Sequence, residues 1–282
     1  MSPGVAGCKL VYREAGPPVR LEIAGGRACI GPGCRPLIVA GPCSVEDPDM
    51  IRETALFIRR LLVDTLGYSN VVLRGGAWKP RTSPYSFQGH GARALEWLRE
   101  AGDAAGLPVA TEVMDPRDVK LAAEYVDVLW VGARNMQNTP LLRELAKTGK
   151  PVLLKRHFGA TVEEWLCAAE YLLAGGNEQV ALVERGTRGF NEYARFSLDI
   201  TVVPVVKKLS RLPVLVDVSH PAGRRELVPP LAAAALAAGA DGVMVEVHPN
   251  PDKALSDAKQ QLPFRMFEEM ARELLERGLL PR

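Results

Sequence analysis

A thiol, an imidazole and two carboxylates, Cys43, His220, Glu246 and Asp257, stand far apart in this sequence, yet the first three close short apolar runs and Asp257 lies just beyond the last of them. A sulfur, a ring nitrogen and two acidic oxygens form a mixed soft and hard donor set. Such a set suits Mn, Fe, Co or Zn better than Mg or Ca, so one divalent ion per chain is expected. Each of these residues is commonplace alone; their equivalent positions at the ends of apolar runs carry the reading. A second group is cationic: Arg74, Lys79, Arg81, Arg134, Lys155 and Arg185 also fall at or just past such ends. Like charges gathered in a partly desolvated pocket repel, so their convergence makes sense only around polyanionic ligands. Arginine forks match phosphate and carboxylate oxygens, and lysine acts as a point charge or an acid. Between them runs a long polar stretch, 75–91, in which Pro80 and Pro84 stiffen the backbone while Thr82 and Ser83 set hydroxyls beside Arg81. This pattern predicts a preorganised anion clamp.

The elements that must position these groups repeat regularly. Continuously apolar runs at 37–41, 70–74, 108–113, 126–133, 151–156, 179–185, 213–219 and 242–247 read as buried parallel strands. Amphipathic segments such as 50–66, 92–105, 162–174 and 224–238 lie between them. Eight strand and helix units, with no Gly-x-Gly-x-x-Gly turn after the first strand, predict a closed (β/α)8 TIM barrel, an α/β fold. Its active site is expected where the strands end, and the candidate residues fall there. Ahead of the barrel, 19–30 reads as a short β-hairpin turning at Gly25 and Gly26 and capping the opposite mouth. The expected organisation is therefore an N-terminal extension, 1–35, and a catalytic barrel, 36–282. The stretch 75–91 stands out as the only long irregular connection.

At 282 residues the chain has the length of one such barrel with an appendage. A net charge of +2 argues against a nucleic-acid or membrane surface, so the partner expected is a small anion. No apolar run has the length of a membrane span and no leader pattern follows Met1, which makes the cytoplasm the expected location. Five cysteines, an odd number, argue against a secreted disulfide framework. Cys8, Cys29 and Cys34 lie near the N-terminus, where a disulfide remains open if the source lives hot.

With these residues in view, the chain resembles the 3-deoxy-D-arabino-heptulosonate 7-phosphate synthases of the type Iβ subgroup. The resemblance rests on Ala-Gly-Pro-Cys-Ser at 40–44, Arg-Gly-Gly-Ala-Trp-Lys-Pro-Arg-Thr-Ser-Pro at 74–84 and Gly-Ala-Arg-Asn-Met-Gln-Asn at 132–138. Leu-Leu-Lys-Arg at 153–156, Glu-Arg-Gly at 184–186, Asp-Val-Ser-His at 217–220 and Val-Glu-Val-His at 245–248 complete it. It implies condensation of phosphoenolpyruvate with erythrose 4-phosphate, the entry to aromatic amino acid biosynthesis, by a homotetramer or homodimer. Cys43, His220, Glu246 and Asp257 would then hold the metal. Arg134, Arg185 and the backbone at Ala133 would hold the phosphate of phosphoenolpyruvate, with Arg74, Lys79 and Lys155 about its carboxylate. Lys79, Pro80, Arg81 and Thr82 would take the sugar phosphate. Lys155 or Lys79, each a lysine among cations with a lowered pKa, is the expected proton donor, and Glu112 orients water.

Two departures bear on these expectations. Larger members of the family carry a regulatory domain for which this sequence has no segment, so the resemblance leaves feedback by an aromatic amino acid open. His157-Phe158 stands where Gly and a smaller residue belong, so that loop is expected to differ. The nearest rival is the related 3-deoxy-D-manno-octulosonate 8-phosphate synthase, whose sugar loop reads Lys-Ala-Asn-Arg where this chain has Lys79-Pro80-Arg81-Thr82. A barrel that binds a phosphorylated metabolite without turnover is the rival of another class.

Overall fold

A computed structural model describes residues 7–281. Two short antiparallel strands, β1 (Leu21–Ile23) and β2 (Ala28–Ile30), form the expected hairpin. Eight parallel strands follow: β3 (Leu37–Gly41), β4 (Val71–Arg74), β5 (Val109–Glu112), β6 (Val128–Val131), β7 (Val152–Lys155), β8 (Val180–Glu184), β9 (Val214–Asp217) and β10 (Gly242–Glu246). They close into a barrel in chain order, with β10 pairing back onto β3. Every residue of these eight strands is buried, because side chains facing inward fill the barrel and those facing outward meet helices. The helices are α1 (Pro48–Ile58), α2 (Ala92–Ala105), α3 (Val119–Tyr125), α4 (Thr139–Ala146), α5 (Val162–Ala174), α6 (Val202–Leu209), α7 (Ser219–Ala222), α8 (Val228–Ala237) and α9 (Phe264–Glu276). No described helix is long and apolar enough to cross a membrane.

Local chemistry sets the helix ends. Asp47 accepts from the Met50 N–H just ahead of Pro48 to start α1, and Thr161 with Glu164 forms a reciprocal capping box on α5. The segment expected as one helix over 50–66 instead widens after Ile58 into a π turn, Arg59–Thr65. Gly41 sits at φ 148°, and a Cβ there would lie 2.1 Å from the Arg74 carbonyl oxygen, so β3 and β4 approach closely only because position 41 is glycine.

The hairpin lies against the N-terminal ends of the strands. Asn70, at the foot of β4, bonds both the N–H and the carbonyl of Cys29, and Gln179, at the foot of β8, accepts from the Glu22 N–H. Leu21, Ile23 and Ile30 are fully buried beneath the barrel. The site therefore belongs to the opposite mouth.

Two disulfides tie the N-terminal chain down. Cys29 bonds to Cys34, within the set where a bridge was left open, whereas Cys8 reaches Cys167 on α5, 159 residues away. One turn further along α5, Glu170 accepts from the backbone N–H groups of Lys9, Leu10 and Val11. Breaking the long bridge with Cys167→Ser is expected to cost about 2–4 kcal/mol, since it frees a large loop in the unfolded chain. Denaturation curves of variant and parent would show it; superimposed curves would mean the bridge adds nothing. One expectation needs correction: 75–91 is not the only long irregular connection. Residues 185–201, between β8 and α6, are equally irregular, and they also wall the site.

Candidate active site and metal centre

The strand ends deliver the candidate residues to one mouth. Arg74, Glu112, Lys155, Asp217 and Glu246 are each the last residue of a strand, and Cys43 and Arg185 lie one or two residues beyond one. His220 sits in the single turn α7 that breaks the chain after β9, and Asp257 comes from the connection after β10. One ligand atom from each of Cys43, His220, Glu246 and Asp257 falls within 4.8 Å of the other three.

Hydrogen bonds aim these atoms at a common centre. Asp217 accepts from His220 Nδ1 at 2.7 Å, which fixes the ring and leaves Nε2 as a lone pair facing inward. Nε2 stands 3.3 Å from Glu246 Oε1 and 3.8 Å from Asp257 Oδ2. Cys43 Sγ lies 3.2 Å from that same Asp257 oxygen, and its backbone N–H is held by Gln261. Gln260 donates to the other oxygen of Glu246. Burial pushes the Cys43 thiol far up, with Glu246 and Asp257 adding to the shift and Lys79 and Arg74 opposing it. A lone pair, two carboxylates and a thiol that cannot ionise unaided are a poor cluster by themselves. They are a good donor set for a cation, which deprotonates a coordinating thiol outright. The residues present thus fit a divalent transition metal.

Above this cluster opens a cavity of about 230 Å³. Its walls carry Lys79, Pro80, Arg81 and Thr82 from the clamp, with Ala133 and Arg134 from the turn after β6. Glu112, Lys155, Arg185, His220 and Asp257 complete the predicted residues that reach it. Cys43, Glu246 and Arg74 do not; they are buried at or below 1% exposure beneath it. Arg74 stacks on Trp130 at 4.9 Å and gives Nη2 to Glu246 and to the Cys43 carbonyl, while its Nε and Nη1 are buried with no partner among the described residues. Arg185 Nη1 is likewise unpartnered. A buried guanidinium donor left open on the cavity wall, as at Arg185, costs free energy unless a ligand satisfies it, so the cavity is built for anions. Gly132 permits the packing here: a Cβ would stand 1.9 Å from Glu112 Oε1.

The two lysines differ in a way the sequence does not reveal. Burial lowers Lys155, and its contact with Asp217 compensates only in part while Arg74 lowers it further. Burial also acts on Lys79, but Cys43, Glu112, Asp257 and Glu246 outweigh it and raise the group. The expectation of a lowered pKa thus holds for Lys155 and is corrected for Lys79, which faces acidic groups and donates to the Cys43 sulfur at 3.0 Å. Burial pushes the Asp217 carboxyl up, yet His220 and Lys155 beside it outweigh this and hold it well below the usual range.

Several neighbours were not anticipated. Asp217 links Lys155 to His220, and its signal was present as a carboxylate three residues before the histidine. Arg195 and Phe196, from 185–201, and Phe158 line the cavity; Arg185 packs on Phe196 at 4.2 Å. Arg156, beside Lys155 in sequence, turns away to Glu184 and Asp199. His248 accepts from the Asn250 N–H and lies 3.6 Å from Glu46, and His90 packs between Phe87 and Trp97.

Residues 17–279 match the model of the DAHP synthetase I family. A phospho-2-dehydro-3-deoxyheptonate aldolase of Thermotoga maritima is 53% identical over 237 residues, 84% of this chain and 68% of that protein. A 2-dehydro-3-deoxyphosphooctonate aldolase of Nitratidesulfovibrio vulgaris is 36% identical over 255 residues, 85% of this chain and 91% of that one. Among solved structures, the Thermotoga maritima DAHP synthase superposes with a TM-score of 0.90 at 49% identity, covering 97% of this chain and 78% of that chain. A truncated form of the 3-deoxy-D-arabino-heptulosonate 7-phosphate synthase from the same organism gives 0.86 at 46% identity, covering 95% of each. With the barrel, the donor cluster and the cationic cavity all in agreement, the chain belongs to the DAHP synthetase I family.

Proposed function

We propose that this protein condenses phosphoenolpyruvate with erythrose 4-phosphate and water to give 3-deoxy-D-arabino-heptulosonate 7-phosphate and phosphate, the first step of the shikimate pathway, as a type Iβ enzyme. The observation that carries the reading is the acceptor cluster of Cys43, His220, Glu246 and Asp257 set directly below a cavity with five cationic side chains from the predicted set. Residues 36–282 act as the catalytic barrel and the N-terminal extension seals its far end. The enzyme works in the cytoplasm as a homodimer or homotetramer.

In this reading Arg134, Arg185 and the Ala133 backbone hold the phosphate of phosphoenolpyruvate, and Arg74, Lys79 and Lys155 neutralise its carboxylate. Pro80, Arg81 and Thr82, with Lys79, receive the sugar phosphate. Cys43, His220, Glu246 and Asp257 hold the divalent ion, which when bound supplies Lewis acidity to the sugar aldehyde. The methylene carbon of phosphoenolpyruvate bonds to the aldehyde carbon, and Lys155 gives a proton to the oxygen that becomes a hydroxyl. Its lowered pKa suits it for this, whereas Lys79, raised and bound to the thiol, serves as a fixed cation. Glu112 orients the water that adds at the phosphate-bearing carbon; of that water's two protons one restores Lys155 and the other departs with phosphate as carbon–oxygen cleavage leaves the ketone.

A second reading, the octulosonate reaction on arabinose 5-phosphate, draws on the likeness to the phosphooctonate aldolases. Lys79-Pro80-Arg81-Thr82 favours the shorter sugar. Purified protein is expected to prefer erythrose 4-phosphate over arabinose 5-phosphate in kcat/KM by about tenfold or more, since its sugar loop departs from the Lys-Ala-Asn-Arg of the octulosonate enzymes. Preference for the five-carbon sugar would reverse the assignment.

A further inference from the structure

Asp257 divides its two carboxylate oxygens between two neighbours. Oδ2 faces the cluster, 3.2 Å from Cys43 Sγ, while Oδ1 receives Arg195 Nη1 at 3.0 Å. The backbone at Asp257 has φ 46°, in the left-handed region, on a connection outside any helix or strand. A side chain mounted on such a segment needs an outside partner to fix its direction.

Arg195 is itself anchored to the piece of chain that carries His220. Its N–H bonds the Ala222 carbonyl, and the next N–H, of Phe196, bonds the Pro221 carbonyl. The absence of a side chain at Gly223 lets the two segments meet, for a Cβ there would lie 2.6 Å from Arg195 Cβ. One arginine therefore braces the His220 turn against Asp257 across three connections of the barrel mouth.

Resting on the reading of the cluster as a metal site, we propose that Arg195 is a positioning residue that makes Asp257 a one-oxygen ligand and so sets the metal preference of the site. With Oδ1 committed to the guanidinium, only Oδ2 faces the ion. Ca(II) needs six to eight oxygens and exploits carboxylates that bind through both, whereas Co(II), Mn(II) or Zn(II) is content with fewer, mixed donors. The brace therefore strengthens binding of the smaller ions, by holding the ligand ready, and weakens binding of the larger one, by withholding an oxygen.

The test uses the full chain stripped of metal by a chelator and titrated with Co(II), whose bond to Cys43 is read from the thiolate-to-cobalt absorption, with Ca(II) as competitor. Arg195→Met is expected to raise the Co(II) Kd by about 10–100-fold, the range for outer partners of metal ligands. It is also expected to lower the ratio of Ca(II) to Co(II) Kd by about tenfold, because the freed oxygen serves the larger ion. Arg195→Lys restores most of both, as it still donates to Oδ1. Arg195→Leu, which likewise has no donor, moves both in the same direction as the methionine and provides the readout should that variant not fold. If the parent chain shows no thiolate absorption, the metal reading itself fails. If the parent shows it and Arg195→Met keeps the same Kd and the same ratio, the role of Arg195 is refuted while the metal site stands.

Discussion

Replacing Cys43 with alanine is expected to lower kcat/KM by about three orders of magnitude, with the fold intact by circular dichroism. The size follows from what the ion supplies: Lewis-acid stabilisation is worth several kcal/mol, and about 4 kcal/mol is a thousandfold in rate. The thiol is the soft member of the donor set and is fully buried, so no water or neighbouring side chain can substitute for it. Its loss also leaves Lys79 Nζ without its sulfur partner at 3.0 Å, with the carbonyl of residue 43 as its remaining hydrogen-bond acceptor. Metal content measured beside the rate separates the causes: a variant that keeps parental metal content and parental turnover would remove Cys43 from the account.

Lys155→Met is expected to lower kcat by about 10³-fold while metal affinity changes little. General acid catalysis contributes some 10²–10⁴-fold, and the same side chain also neutralises the substrate carboxylate. Metal binding survives because the residue touched by Lys155, Asp217, keeps its bonds to His220 Nδ1 and to the N–H groups of Ser219 and His220. The pH profile adds a second readout. Burial lowers Lys155, so activity that requires its ammonium form is lost on the alkaline side below the ordinary lysine pKa of about 10.4, and that limb should vanish from the residual activity of the variant. Residual turnover within tenfold of the parent would assign proton donation to another group.

Much of this architecture is legible before any coordinates. The runs at 37–41 and 242–247 reappear as β3 and β10 almost residue for residue, because a strand buried on both faces must be apolar throughout and Gly or Pro marks its ends. The run at 126–133 overshoots: Asp127 is drawn to Arg99 and to the Val109 N–H at the barrel's foot, so the strand proper is Val128–Val131. Cys43, His220 and Glu246 are legible because polar residues at the ends of apolar runs have no business in a packed core. What escaped depends on contacts between distant segments. Arg195 lies in 185–201, polar and aromatic without periodicity, and meets Asp257 62 residues further on. The raised pKa of Lys79 arises from Cys43 and from carboxylates brought in by distant segments, whereas its sequence neighbours suggested only cations. Cys8 and Cys167, separated by 159 residues, carry no local sign of their pairing.

Phosphate release from phosphoenolpyruvate by the purified, chelator-treated chain tests the central claim most directly. It should be absent with either erythrose 4-phosphate or a divalent transition ion alone, and rapid when both are supplied. Release that proceeds without the sugar phosphate, or at full rate without the ion, would contradict the joint role assigned to the cationic cavity and the cluster beneath it.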